Sequence, residues 1–171
     1  TGIHKDDLSI SCQRHATSKI NTAKDLFNLK TMGFRGEALS SIASISHLEI
    51  STKTRDQEIG QKIRIKENEI IQEDCICQKG TSIKIKNIFF NVPARRKFLK
   101  SNAIETKHII EEFIRVALAT PKIEWQLIID NKQMFRLDCM NLRQRIVQVI
   151  GKKSNEKLVP IQEETNLINI N

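Results

Sequence analysis

The sequence predicts an α+β fold, a two-layer α/β sandwich in which helices cover one face of a mixed, largely antiparallel sheet. Two observations carry this. Apolar residues recur with period two in short runs near residues 47–54, 58–66, 70–73, 82–88 and 123–138, as half-buried strands require. They recur with period 3.6 near residues 36–46, 103–119 and 142–150, and these helical stretches are segregated from the strands along the chain.

Taken in order, residues 6–16 read as a short helix with Leu8 and Cys12 on one side, followed by a polar turn through Thr17 and Ser18. Residues 36–46 form a second helix whose Leu39, Ile42 and Ala43 make an i, i+3, i+4 face. Residues 47–54 form the first strand, with Leu48 and Ile50 inward. A hairpin follows, residues 58–66 and 70–73 around Glu67-Asn68-Glu69, and then a strand over 82–88, so the sheet reads as a meander. Pro93 opens a helical region, and residues 103–119 form a longer helix with Ile110, Phe113, Ile114, Ala117 and Leu118 as core. Ile123, Trp125, Leu127 and Ile129 alternate along a strand that turns at residues 130–132 and returns over 134–138. A last helix over 142–150 stops at Gly151. Residues 152–157 read as a charged link to short strands at 158–161 and 167–170.

A chain of 171 residues has room for one domain with a real core and part of a second. It contains no apolar run able to span a membrane, and it opens on Thr1 in a polar segment, which is expected of a piece of a longer protein. The net charge of +8 favours polyanions in general. Much of it is accounted for by Lys62, Arg64, Lys66, Lys84 and Lys86, which alternate with isoleucines as the solvated faces of strands. With no tyrosine, a base-stacking platform is not expected. The densest basic cluster is Arg95, Arg96 and Lys97 with Lys100 nearby; it suits either DNA phosphates or a helix start, its stems packing on Phe98 and Phe90, and the structural role is favoured. Of the four cysteines, Cys75 and Cys77 form a C-x-C pair without the second pair that a zinc site needs, while Cys12 and Cys139 sit in apolar surroundings and read as small core residues.

The most informative stretch is Thr31-Met32-Gly33-Phe34-Arg35-Gly36-Glu37-Ala38-Leu39. Two glycines flank an arginine and lead into a helix, so the backbone can approach an anion closely and aim unpaired N–H groups at it. The same residues also suit an ordinary glycine turn before a core helix, with Glu37 complementing the helix dipole. Gly151-Lys152-Lys153-Ser154 is no Walker-A loop, because Ile146 and Lys153 occupy places where that motif needs Gly and Ser or Thr.

Residues 33–45 resemble the GFRGEALxSIASV signature of the MutL-type mismatch-repair ATPases. Arg14-His15-Ala16-Thr17-Ser18-Lys19-Ile20 resembles that family's RHATSKI segment. Gly80-Thr81, followed by residues 87–98, resembles its GT…LFxNxPARRKF segment. Three long motifs in the family's order cover roughly the first hundred residues. The resemblance implies the Bergerat (GHKL) ATPase fold shared with gyrase B and histidine kinases, with residues 1–153 a partial ATPase domain and 154–171 the beginning of a transducer domain.

It also implies a nucleotide site. Gly33, Phe34, Arg35, Gly36, Glu37, Ala38 and Leu39 would form the ATP lid and its following helix. Thr17, Ser18 and Lys19 would supply donors beside it, Thr81 would lie near the adenine pocket, and Gly2 would belong to the tail of the family's second motif. The base glutamate, the Mg2+-holding asparagine and the adenine aspartate of the family would lie before Thr1, and the γ-phosphate lysine after residue 171. This chain alone is therefore expected to lack turnover, the parent being the ATPase, with ATP and Mg2+ as cofactors. The implied partners are a MutS-type mismatch sensor, DNA contacted without sequence preference and a second MutL copy in an ATP-dependent dimer, in a cytoplasmic setting. Two other functions compete. One is another GHKL ATPase such as a type II topoisomerase subunit, against which residues 93–97 argue; the other is a basic, non-catalytic nucleic-acid-binding module.

Overall fold

Alternation of β-branched with charged residues makes strands that bury one face, and four such strands lie side by side here. In the computed structural model, which describes residues 1–20, 22–29, 31–67, 69–159, 163–164 and 169–170, β1 (His47–Lys53), β2 (Gly60–Lys66), β3 (Glu69–Cys75) and β4 (Gly80–Lys86) form an antiparallel sheet in the order β3-β2-β1-β4. The chain divides into two compact units, Thr1–Leu99 and Lys100–Asn171. The sheet belongs to the first.

The expected meander holds for β1, β2 and β3 but not for β4, which returns to pair with β1 instead of β3. The reason is visible in the register. Leu48 and Ile50 face Ile65 and Ile63 on one side and Ile85 and Ile83 on the other, so β1 becomes the centre of a continuous apolar face. Thr52 ends this row; its buried hydroxyl donates to Gly80 O at 3.1 Å and lies 3.0 Å from Thr81 Oγ1, which fastens β4 to β1.

Helices α1 (Lys5–Ile10) and α2 (Ala38–Ile45) cover the centre of that face. Leu8, Leu48, Ile50, Ile63 and Ile65 are buried, with Ile3, Cys12, Leu39, Ile42 and Ala43 packed against them. Each fully buried aliphatic side chain contributes roughly 1.5–3 kcal/mol. The edges are not covered, since Ile70 on β3 and Ile83 and Ile85 on β4 share the core face yet are about half exposed or more.

Both helices are shorter than the sequence predicts. The first stops at Ile10, because Ser11 turns its hydroxyl back onto Leu8 O at 2.7 Å and His15 adopts a left-handed φ of 63° that no α-helix continues through. The second begins at Ala38, because Gly36 holds φ 65° and leaves Glu37 as the N-cap. A 3₁₀ turn at Ala23–Asn28, not anticipated, is held by Asp25 Oδ2 accepting from Thr22 N at 2.8 Å. Helix α3 (Pro93–Lys97), with Pro in its first turn, closes the unit.

The second unit comprises α4 (Asn102–Ala119), the hairpin β5 (Trp125–Ile129) and β6 (Lys132–Leu137), α5 (Leu142–Ile150), a 3₁₀ turn at Lys152–Lys157 and a two-residue pairing of β7 (Glu163–Glu164) with β8 (Asn169–Ile170). Asp130 and Asn131 take φ of 49° and 63°, the left-handed pair that a tight hairpin turn requires. Phe113 meets Trp125 edge-on and Phe135 at a tilt, and of the expected α4 core only Ala117 is fully buried. The charged link at 152–157 is a 3₁₀ turn that Arg143 anchors by two bonds to Asn155. Of the two short strands expected near the end, residues 160–161 and 167–168 lie outside the described residues; Leu158 and Val159 are in no strand, and Asn169 and Ile170 form β8.

Arg145 on α5 is completely buried. Its Nη2 donates to the carbonyl oxygens of Pro121, Ile123 and Asp138 at 2.9, 2.6 and 3.0 Å, while Nε and Nη1 have no hydrogen-bond partner among the described residues.

Candidate functional site

Two stretches of chain that carry little regular structure, residues 16–19 and 32–37, meet in front of the first turn of α2. They enclose a cleft of about 470 Å³ whose walls include Thr17, Ser18, Lys19, Gly33, Phe34, Arg35, Gly36, Glu37, Ala38 and Leu39. Ten of the twelve residues expected at a nucleotide site are thus brought together. Gly2 and Thr81 are not among them.

Gly36 is what makes the two stretches meet. At φ 65° it turns the chain where an L-residue is strained, and a Cβ added there would stand 2.5 Å from the Ala16 carbonyl carbon. Backbone is the obstacle, so relief would mean moving the loop. Gly33, at φ 75°, needs the same left-handed conformation but faces open space. Lys19 spans the gap, its Nζ donating to Met32 O at 3.1 Å, while its own backbone N–H bonds Thr17 Oγ1 at 3.2 Å. The Arg35 guanidinium stands 5.9 Å from the Phe34 ring centroid. None of the ion pairs among the described residues involves Arg35 or Lys19. Glu37 is the acidic exception at the cleft; the His15 Nδ1 lies 2.8 Å from its Oε1 but off the line of a hydrogen bond.

This donor set suits an anion. It offers an ammonium, a guanidinium, two hydroxyls and the open N-terminal turn of α2, around a glycine hinge. Among the described residues no group of three His, Cys, Asp or Glu side chains stands together.

Gly2 and Thr81 come together at a second polar junction. Thr81 Oγ1 donates to Thr1 O at 3.1 Å, and Ile3 N donates to Thr52 Oγ1 at 2.7 Å, with Thr52 donating in turn to Gly80 O and lying 3.0 Å from Thr81 Oγ1. A Cβ on Gly2 would stand 2.5 Å from Thr54 N, so only glycine lets the N-terminal segment lie this close to the end of β1. Thr52 was not anticipated. Its signal in the sequence is a lone hydroxyl at an inward position of a strand that is otherwise Leu and Ile. Ser11, Ala16 and Met32 also line the cleft without having been named as site residues; Ala16 and Met32 adjoin Thr17 and Gly33, whereas Ser11 lies outside the motif segments.

Two expectations away from the cleft are corrected. Arg95, Arg96 and Lys97 are exposed and so is Phe98, at 79%, so the basic stems do not bury that ring; Phe90 packs instead on His47, with ring centroids 4.7 Å apart. Cys139 is exposed, its Sγ donating to Lys122 O at 3.0 Å, whereas Cys12 is half-buried against the core as expected. Burial raises the Cys12 thiol pKa, and the hydrogen bond with Ser11 only partly offsets it. Among the described residues no helix is long and apolar enough to cross a membrane.

No protein-family profile matches the chain. The DNA mismatch repair protein MutL of Christiangramia forsetii is 51% identical over 170 residues, which is 99% of this chain and 28% of that protein. The DNA mismatch repair protein MutL of Flavobacterium psychrophilum is 49% identical with the same coverage. The chain thus spans little more than a quarter of these relatives. Among solved structures, the Aquifex aeolicus MutL ATPase domain complexed with ADP matches 88% of this chain and 53% of its own, at a TM-score of 0.70 and 25% identity. With about half its residues identical along almost its whole length, and with this α+β fold, the chain belongs to the MutL family of DNA mismatch repair proteins.

Proposed function

We propose that this chain carries the phosphate-side lid of a nucleotide site in an ATP-switched mismatch-repair protein. The observation that carries the reading is the cleft itself: ten residues from two separate motifs converge on one anion-suited pocket hinged at Gly36. The ADP bound by the Aquifex aeolicus relative supports a nucleotide as the anion.

In this reading Thr17, Ser18, Lys19 and Arg35 donate to phosphate oxygens, and the backbone from Gly36 to Leu39 wraps them. The junction of Gly2 with Thr81 belongs to the adenine side. The nucleotide's role is to stabilise a closed lid and so favour a dimer with a second MutL copy, coupling mismatch recognition by a MutS-type sensor to strand incision in a cytoplasmic protein. DNA contact rests on phosphates, without sequence preference. Residues 1–153 belong to a partial GHKL ATPase domain and 154–171 to the start of a transducer domain. Hydrolysis needs a base, a metal and a γ-phosphate donor, and those groups belong to other parts of the full protein.

The test exchanges this chain for the matching 170 residues of the C. forsetii MutL and measures binding of a non-hydrolysable ATP analogue by calorimetry, beside the isolated chain. Binding and ATP-driven dimerisation in the chimera, with neither turnover nor more than feeble binding in the isolated chain, is the expected result. Robust turnover by the isolated chain, surviving Arg35→Ala, would overturn the assignment.

A further inference from the structure

The C-x-C pair takes no part in the cleft, yet its surroundings are built for it. Cys75 is the last residue of β3 and faces Gly60 across the ladder with β2, on the side of the sheet away from the helices. Cys77 lies just past the strand end, where no ladder holds the backbone. Its Sγ folds back over Gly60, into the space that any side chain there would fill: a Cβ on Gly60 would sit well inside van der Waals contact with that sulfur. Gly60 is buried, although Glu73 and Asp74 on the flanking end of β3 are exposed. Two residues apart in a regular strand, Cα atoms stand near the upper limit for a disulfide; a chain free to bend after Cys75 removes that limit. Ile76 between them is fully exposed, so no packing opposes the bend. Burial first, and then a hydrogen bond between the two sulfurs, raise the Cys75 thiol pKa, as befits two thiols sharing one spot.

We propose that Cys75 and Cys77 are a redox-responsive dithiol that closes to an intrachain disulfide by exchange with a small-molecule disulfide such as oxidised glutathione. One cysteine thiolate attacks the small disulfide, forming a mixed disulfide and releasing one small thiol. The second thiolate then attacks the protein sulfur of that mixed disulfide and releases the other. The protein loses two protons and two electrons, and the small disulfide takes both up as two thiols. The bridge fixes the short connection into β4, whose first residues, Gly80 and Thr81, both meet Thr52. Nothing in this depends on the nucleotide reading.

The experiment equilibrates the 171-residue chain with graded ratios of reduced to oxidised glutathione, alkylates the remaining thiols and maps the peptides by mass spectrometry. The expected result is a peptide holding Cys75 and Cys77 that has lost two hydrogens and takes no alkyl group, while Cys12 and Cys139 stay alkylated or carry single glutathiones. Cys75→Ser and Cys77→Ser should each convert the remaining cysteine to a mixed disulfide. Gly60→Ala, which displaces the Cys77 sulfur, should shift the balance about tenfold toward the dithiol. The same series run in urea supplies the control that survives a misfolded variant. Two results would each overturn the proposal: cysteines 75 and 77 alkylated or separately glutathionylated across the whole series, or a bridge forming at the same ratio in the unfolded chain.

Discussion

The two units fill their centres by different means. In the first, five apolar side chains from α1, β1 and β2 form a continuous core. In the second, the largest wholly buried side chain among the described residues is Arg145, and it collects three loop carbonyls, of which Pro121 O also accepts from Met140 N. The apolar core is insensitive to direction and repays area. A buried guanidinium is stabilising only through its geometry, because its desolvation is costly unless its donors are used. The first unit should therefore respond to lost volume and the second to lost hydrogen bonds.

The sharpest way to break this contrast is a cavity. Ile50 is fully buried with Ile63 and Ile83 on either side, and Ile50→Ala should cost about 4 kcal/mol in urea unfolding followed by circular dichroism. Next comes Arg145→Ala, which strands the Ile123 and Asp138 carbonyls at about 1 kcal/mol each, Pro121 O keeping the Met140 N–H, and so should cost about 2 kcal/mol. Its readout is the fluorescence of Trp125, the single tryptophan, which lies in the same unit. A loss below about 1 kcal/mol there would mean that the carbonyls find water and the contrast fails.

A third prediction sharpens the picture inside the first unit. Gly36→Ala should cost about 2 kcal/mol and Gly33→Ala about 1 kcal/mol, since both break a left-handed conformation but only Gly36 faces backbone. In the chimera, Gly36→Ala should also weaken nucleotide-analogue binding by about tenfold, and equal losses at the two glycines would remove the hinge argument. The smallest effect concerns Glu49, whose pKa is lowered by the hydrogen bond from Lys84, burial opposing it. A depressed carboxylate pKa contributes stability above the unfolded value and loses it as pH falls through the folded one. Stability measured from pH 6 downward should therefore drop below about pH 4.5 by less in Lys84→Met than in the parent, by under about 1 kcal/mol.

Much of this was legible in the sequence because the signals were local. Leu48 and Ile50 alternate where β1 lies, and α5 spans the stretch bounded by its cap Asn141 and by Gly151; that the two motif segments line one cleft was implied by the family resemblance alone. The placement of β4 was not legible, since Ile83 and Ile85 alternate in a way that fits either edge of the hairpin. Arg145 was not either: on a helical wheel it is one more polar residue, and only the tertiary fold brings three carbonyls to it. The early end of α1 depends on Ser11 and His15 adopting conformations that helical spacing does not encode.

The strand order β3-β2-β1-β4 also sets a sequence of events in time. Leu48 meets Ile65 across a shorter span of chain than the one that separates it from Ile85. Roughly doubling a loop adds only about 0.6 kcal/mol of closure entropy, yet that cost is met before the contacts it enables form. The three-stranded meander is therefore expected to form first, with β4 docking onto a surface already made. Until it does, the outer edge of β1 is an unpaired row of backbone donors and acceptors beside Leu48 and Ile50, which makes the interval before docking the moment when this chain is most exposed to pairing with another.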